Sequence, residues 1–312
     1  MEHARKISLV VLLGPTASGK TEISLAWAQA LGCEILSADS MQVYRYMDIG
    51  TAKPTREMRE LVPHHLIDVA DPDELYSAAR FQREADLAIQ DVHSRGKSVL
   101  VVAGTGLYLR ALTRGLFSFT GRDLVLRKRL QEKAREKGVE CLHETLRMVD
   151  PEASRRIHPH DLFRIIRALE VFYLSGIPIS QHHSRHAMGR ERYRILYLGL
   201  ERERAELFKR IDRRVDEMAH QGLLEEVRSL LERGYSPDLP PMKALGYRHM
   251  IAHLEGLVSL EEALNKMKVD TRKFAKRQLT WFKAMDRVLW FGAKDQEIIL
   301  EKARSFLAEQ KT

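Results

Sequence analysis

Near the start of the chain a nearly continuous apolar run, residues 6–13 (KISLVVLL), meets the eight residues GPTASGKT. These open directly into TEISLAWAQALG, which is apolar at helical spacing. Strand, loop and helix in that order is the setting in which the pattern G-x-x-x-x-G-K-[ST] works. Gly14, Gly19, Lys20 and Thr21 satisfy every fixed position. The glycines let the backbone turn so tightly that consecutive N–H groups point inward, Lys20 adds a positive charge, and the following helix contributes its N-terminal dipole. The hydroxyl of Thr21 is placed to ligate Mg²⁺. Residues Gly14, Pro15, Thr16, Ala17, Ser18, Gly19, Lys20 and Thr21 are therefore read as a polyphosphate site.

Further strand-like runs follow at 34–36, at 97–103 (KSVLVVA), where the turn Gly104-Thr105-Gly106 ends it, and at 193–200. Helical segments separate them. Alternation of this kind predicts an α/β fold with a parallel, doubly wound, nucleotide-kinase-like sheet of the P-loop NTPase type. From 123 to 175 the texture changes to helical periodicity dense in Arg, Lys and Glu, followed by the His- and Arg-rich linker QHHSRHAMGRER at 181–192. The economical organisation is a core of 1–115 and 193–312 interrupted by a helical insertion domain, 116–192, of roughly 80 residues. After the strand at 193–200 only helices are expected.

The Lys and Arg residues number 51 against 43 Asp and Glu, a net charge of +8, which favours a polyanionic partner without naming it. Only Cys33 and Cys141 occur, so a disulfide framework or zinc ribbon is not available, and any metal should be held by oxygen. The apolar run near the N-terminus is too short for a membrane span or a secretion signal, so a cytoplasmic protein with no membrane partner is expected.

ATP-using enzymes commonly end a second strand in an acid that positions Mg²⁺. Here KSVLVVAGTG ends without one, and the nearest strand-end acid is Asp39 in SADSMQVY. Strand C-terminal ends line the ligand crevice of an open parallel sheet, so Asp39 should face the phosphates. A carboxylate there either binds metal or removes a proton.

Seven blocks, GPTASGKT, ADSMQVYRYMDIGTAKP, HHLID, AGTGLYLRAL, HPHDLFRIIRALEVF, LPPMKALGYR and AKRQLTWFK, stand in order across 14–283. Together they resemble the bacterial tRNA dimethylallyltransferase (isopentenyltransferase) family. The resemblance implies that the loop holds the diphosphate of dimethylallyl diphosphate in place of ATP, which accounts for the missing acid. It further implies transfer of the prenyl group to N6 of adenosine 37 in the anticodon loop of tRNA, by a monomer using Mg²⁺ held through Thr21. In that scheme Asp39 is the general base and Lys20 stabilises the departing diphosphate. Arg214 resembles the family's diphosphate-binding arginine, with Arg210 one helical turn away as the alternative.

The same likeness implies tRNA contacts at Asp39, Ser40, Met41 and Gln42, at Thr105, and at Arg127, Arg164 and Arg167 of the insertion. It extends to Lys243, Gly246, Tyr247 and Arg248, and to Lys276, Arg277, Gln278, Trp281 and Lys283. Read without the family, TRKFAKRQLTWFKAM places Phe274, Gln278, Trp281 and Met285 on one helical side. That spacing predicts that Phe274 and Trp281 pack into a core. The chain departs from the family pattern at Ala103, His160 and Phe163. His64-His65 is not read as a metal pair, because adjacent residues share no helix face and no acid cluster lies near; HHSRH at 182–186 reads as a basic segment touching RNA. Two rivals share the loop and the sheet: a nucleotide kinase, and an isopentenyltransferase acting on free AMP. The basic insertion and the KRQLTWFK segment favour an RNA substrate over a free nucleotide. A third rival, an RNA-binding protein with a relic loop, is at odds with intact Lys20, Thr21 and Asp39.

Overall fold

The computed structural model of the chain describes residues 6–116, 121, 123–187 and 191–309. Strand β1 (Ser8–Leu13) is buried along its whole length. It lies inside a six-stranded, entirely parallel sheet with β2 (Cys33–Ala38), β3 (His64–His65), β4 (Ser98–Ala103), β5 (Arg194–Leu200) and β6 (Val288–Phe291), in the order β3-β2-β4-β1-β5-β6. A parallel sheet is covered on both faces, and the side chains of β1 divide accordingly. Leu9, Val11 and Leu13 enter one core with Phe81, Leu109, Val215 and Phe282. Val10 and Leu12 enter the other with Ile23, Trp27 and Ala303. Trp27 stacks on Phe291 at 5.5 Å, which places it in the core.

The covering helices are α1 (Lys20–Leu31), α2 (Arg56–Leu61), α3 (Ala78–Ser94) and α4 (Gly106–Arg114) before the insertion. The insertion carries α5 (Leu124–Lys137), α6 (Val139–Val149), α7 (Pro151–Arg156), α8 (Leu162–Ser175) and α9 (Ile179–Ala187). Beyond it come α10 (Arg204–His220), α11 (Leu223–Glu232), α12 (Tyr247–Leu254), α13 (Leu260–Lys283) and α14 (Gln296–Ala308). Two edge strands were not expected. β3 is a two-residue strand with no apolar run to betray it, and β6 is four residues long after a helix that sequence pattern extends past it. Residues 181–187, read as linker, continue helix α9 instead. The rest of that linker, 188–190, lies outside the described residues.

The chain divides into two compact units, one of 1–113 with 191–312 and one of 114–190. The smaller unit has its own core, built from Leu130, Leu142, Leu146, Ile165 and Leu169, and its described residues contain no strand. Within that core Glu170 has no exposed surface. Arg127 donates to its two carboxylate oxygens at 2.7 and 2.8 Å, Arg167 at 2.6 Å, and the Asp123 N–H at 3.0 Å. Burial by itself raises the Glu170 carboxyl, yet these donors hold it down at about 2. Arg127 and Arg167, expected on RNA, thus spend donors on a buried carboxylate.

Removing one partner of such a buried ion group costs about 3 kcal/mol. Glu170→Gln should destabilise the chain by that amount near neutral pH in urea unfolding. Because the native carboxyl sits below its ordinary 4.5, its contribution is present above that pH and fades as pH falls towards about 2. The gap between wild type and variant should therefore shrink on acidification; a gap constant with pH would contradict the ion-pair account.

Candidate active site

Strands β1, β4 and β2 end level, with Leu13 paired to Ala103 and Ala103 to Ala38. The segments that follow them, 14–21, 104–106 and 39–42, are thereby delivered to one edge of the sheet. In the first, a side chain on Gly14 would lie 2.9 Å from the Leu200 carbonyl, and Gly19 stands at φ 101°. Both are positions only glycine fills easily. Ala17 takes φ 61°, a left-handed conformation that costs a non-glycine residue energy and is held by neighbours. Arg210 donates to the Ala17 carbonyl at 2.8 Å and Arg202 to the Ser18 carbonyl at 3.0 Å. Lys20 donates to the carbonyls of Gly14 and Pro15, both at 2.8 Å, closing the loop on itself.

Lys20 pays for this enclosure in electrostatics. Withdrawal from water, and then the nearby Arg214 guanidinium, bring its pKa down from 10.5 to about 7, against the opposing pull of Asp39 and Glu22. Arg214 is lowered as well, first by desolvation. It has no hydrogen bond or ion pair among the described residues, whereas Arg210 is committed to the loop carbonyl. Of the two arginines left open by sequence, Arg214 is the one free to meet a ligand. It lines both a cavity of about 400 Å³ and a neighbouring one of about 710 Å³, which meet at Lys20 and Thr21.

Asp39 faces the first cavity. Its Oδ1 accepts from the Met41 N–H at 2.8 Å, and its Oδ2 occupies the space a side chain on Gly104 would need, 2.5 Å from that Cβ position. Gly104 and Thr105 both donate their N–H to the Ala38 carbonyl, 3.2 and 3.0 Å, so the turn after β4 is stitched to the end of β2. Thr105 Oγ1 accepts from the Ser40 N–H at 2.9 Å and donates to Ser40 Oγ at 3.1 Å. Ser37 donates to Gln42 Oε1 at 2.9 Å, and Gln42 Nε2 donates to the Ala52 carbonyl at 3.3 Å. Asp39 is the sole carboxylate among the described residues lining this cavity, to which Ile211, Val215, Met218, Met267 and Phe274 contribute an apolar lining.

The structure brings Thr16, Lys20, Thr21, Asp39, Ser40, Met41, Gln42, Thr105 and Arg214 to this cavity, together with Lys243, Tyr247, Arg248, Arg277 and Gln278. Others lie elsewhere. Arg127, Arg164 and Arg167 belong to the smaller unit, and Lys276 and Lys283 are exposed on α13, Lys283 paired with Glu201 at 2.8 Å. Tyr247, expected on RNA, has no exposed surface and donates its hydroxyl to Glu226 at 2.7 Å. The expected packing face of α13 is corrected too. Ala275 and Phe282 are the buried residues of this stretch, Phe274 lines the cavity, and Trp281 remains 37% exposed with its ring against Gly106. Three positional contributors escaped sequence reading. Glu226 accepts from the N–H groups of Asp48, Ile49 and Gly50 at 2.9, 2.7 and 3.1 Å. Lys53, itself buried, ties Asp48, Asp68 and the Tyr44 carbonyl together. His64 faces the cavity with Nδ1 on the Val62 carbonyl at 2.7 Å, while its neighbour His65 turns to Glu34 at 2.8 Å.

A parallel sheet with a phosphate loop after its first strand and helices on both faces places the chain in the P-loop α/β class. The description "IPP transferase" fits residues 42–285, and the chain belongs to that family. It is 51% identical over 285 residues to tRNA dimethylallyltransferase 2 of Geotalea uraniireducens, covering 91% of this chain and 92% of that one. It is 49% identical over 290 residues to tRNA dimethylallyltransferase of Geobacter metallireducens, covering 93% and 94%. Among solved structures, the full-length tRNA isopentenylpyrophosphate transferase from Bacillus halodurans superposes with a TM-score of 0.72 at 40% identity, covering 98% of both chains. A eukaryotic dimethylallyltransferase acting on tRNA does so with a TM-score of 0.77 at 30% identity, covering 92% of this chain and 74% of that one. Among the described residues no helix is long and apolar enough to cross a membrane.

An anion bound beside Lys20 favours its ammonium form, so binding should draw in a proton wherever the free lysine is largely neutral. Calorimetric titration with inorganic diphosphate, in buffers of different ionisation heat, should show at about pH 8 close to one more proton taken up by the wild type than by Lys20→Met, the difference cancelling the ligand's own titration. The affinity advantage of the wild type over Lys20→Met should shrink as pH rises from about 7 to about 9. Equal proton exchange by the two proteins at about pH 8 would contradict this electrostatic reading of the loop.

Proposed function

We propose that the chain is a tRNA dimethylallyltransferase that moves the dimethylallyl group of dimethylallyl diphosphate to N6 of adenosine 37, in the anticodon loop, and releases diphosphate. The observation that carries this reading is the composition of one cavity: two desolvated cations, Lys20 and Arg214, and a single carboxylate, Asp39, beside an apolar wall. A phosphate loop that faces one acid and an apolar wall suits an alkyl diphosphate better than a hydrolytic water.

The adenine N6 amine is a weak nucleophile because its lone pair is delocalised into the ring, so a base must take its proton as the C–N bond forms. Asp39 Oδ1 is fixed by the Met41 N–H, leaving Oδ2, which has no hydrogen-bond partner among the described residues, to receive that proton. As N6 bonds to the allylic carbon, the carbon–oxygen bond breaks and its electron pair leaves with diphosphate. Lys20 and Arg214 meet the charge that grows there, the kind of preorganised stabilisation that is most effective out of water. Ile211, Val215, Met218 and Phe274 shelter the hydrocarbon and keep water from the allylic cation.

Mg²⁺ fits the donors present. The Thr21 hydroxyl lines the cavities and has no hydrogen-bond partner among the described residues, which also offer no cluster of three acids or histidines. A hard cation with one hydroxyl ligand, substrate oxygens and retained waters matches the usual habit of Mg²⁺. When bound, it would neutralise diphosphate charge. Taking adenosine 37 out of the anticodon stack costs a few kcal/mol. Exposed Lys243, Lys276, Arg277 and Arg164 are suited to offset that cost through phosphate contacts. A monomer acting in the cytoplasm, where unmodified tRNA is met, goes with this reading.

The reading is tested with unmodified tRNA and labelled dimethylallyl diphosphate, beside reactions offering AMP as acceptor and ATP as donor. Label should enter tRNA alone. Asp39→Ala should lower turnover by about 10²–10⁴-fold with tRNA affinity held within a few fold. Label in AMP would point to a free-nucleotide enzyme, phosphoryl transfer from ATP to a kinase, and loss of tRNA binding in the variant would remove Asp39 from the role of base.

A further inference from the structure

The amide of Gln278 on α13 is engaged at both ends. Its Oε1 accepts from the Thr16 N–H at 2.8 Å, and its Nε2 donates to the Gly104 carbonyl at 2.7 Å. The amide orientation follows from the partners, since an N–H demands the oxygen and a carbonyl demands the NH₂. Thr16 is the third residue of the phosphate loop. Gly104 is the residue against which Asp39 Oδ2 rests, and its neighbour Thr105 holds Ser40. A single side chain therefore joins the loop that receives the leaving group to the turn that supports the base. Trp281, three residues on, lies against Gly106 of the same turn and gives α13 a second fixed point there.

We propose that Gln278 is a positioning residue that sets the spacing between the phosphate loop and Asp39, rather than a contact to tRNA. The proposal rests on the transferase reading of the site. The distance between leaving group and base is what an in-line alkyl transfer depends on, and an error of about 1 Å costs on the order of 10²-fold in rate. No other described side chain hydrogen-bonds to the backbone of both segments. With the clamp gone, the Thr16 N–H and the Gly104 carbonyl are left without it, and the two segments lose their common reference.

Two variants separate positioning from folding. Gln278→Met keeps length and volume but neither hydrogen bond; kcat for transfer should fall by about 10- to 100-fold with the KM for tRNA changed less than about threefold. Inorganic diphosphate should also bind more weakly to this variant. Gln278→Glu keeps the acceptor, and in its protonated form regains a donor for Gly104. Its kcat relative to wild type should therefore rise as pH is lowered, a recovery that a purely structural defect does not produce.

A Met variant with kcat within about twofold of wild type, or a Glu variant with the same relative loss at every pH, would overturn the proposal. So would a rise in tRNA KM with kcat unchanged, which would make Gln278 an RNA contact. Diphosphate binding keeps the two readings apart. A wild-type protein that binds diphosphate yet labels no tRNA would overturn the transferase reading, while the clamp would still stand or fall on the weakened diphosphate binding of Gln278→Met.

Discussion

The level ending of three parallel strands is the constraint from which the site follows. Because Leu13, Ala103 and Ala38 are paired neighbours, the phosphate loop, the Gly104 turn and the Asp39 segment have no choice but to emerge side by side. Parallel strands require crossovers that bury both faces, and the alternating side chains of β1 supply both cores from a six-residue run. Backbone N–H groups of Gly104 and Thr105 on the Ala38 carbonyl, and the Gln278 amide across to Thr16, turn three loops into one surface.

That surface is electrostatically incomplete without an anion. Lys20 is enclosed by loop carbonyls beside a second cation, and its proton is loosened to about 7. Arg202 and Arg210 are spent on the loop carbonyls, leaving Arg214 open. The arrangement stores unfavourable desolvation that, on the proposed reading, a diphosphate relieves, and relieves more fully as charge accumulates on the leaving group. Asp39 lies on the same cavity, held through Oδ1 by the Met41 N–H, while Oδ2, against Gly104, has no hydrogen-bond partner among the described residues.

Much of this was legible in the sequence because it is local. The phosphate loop, the acid after β2, four of the six strands and the helical character of the insertion each sit within a short window of pattern. What was not legible joins distant segments. Thr16 and Gln278 are 262 positions apart, and Glu226 reaches residues 48–50 from 176 to 178 positions away. The faces of α13 were misjudged because its amphipathic pattern is shared between a core, reached by Ala275 and Phe282, and a cavity, reached by Phe274 and Gln278. Periodicity reports that a side is apolar but not whether packing or a ligand space makes it so. Tyr247, taken as an RNA contact on the family likeness alone, is buried and gives its hydroxyl to Glu226, a partner 21 positions away that no local pattern announces.

The central claim is that the loop holds a diphosphate as a leaving group that departs intact. The most direct measurement is a phosphorus balance: phosphorus NMR of the reaction of tRNA with dimethylallyl diphosphate, set against mass-spectrometric mapping of the modified nucleoside. One inorganic diphosphate should appear for each dimethylallyl group found on adenosine 37. Orthophosphate, or phosphorylated RNA without a prenylated base, would contradict the account at its root.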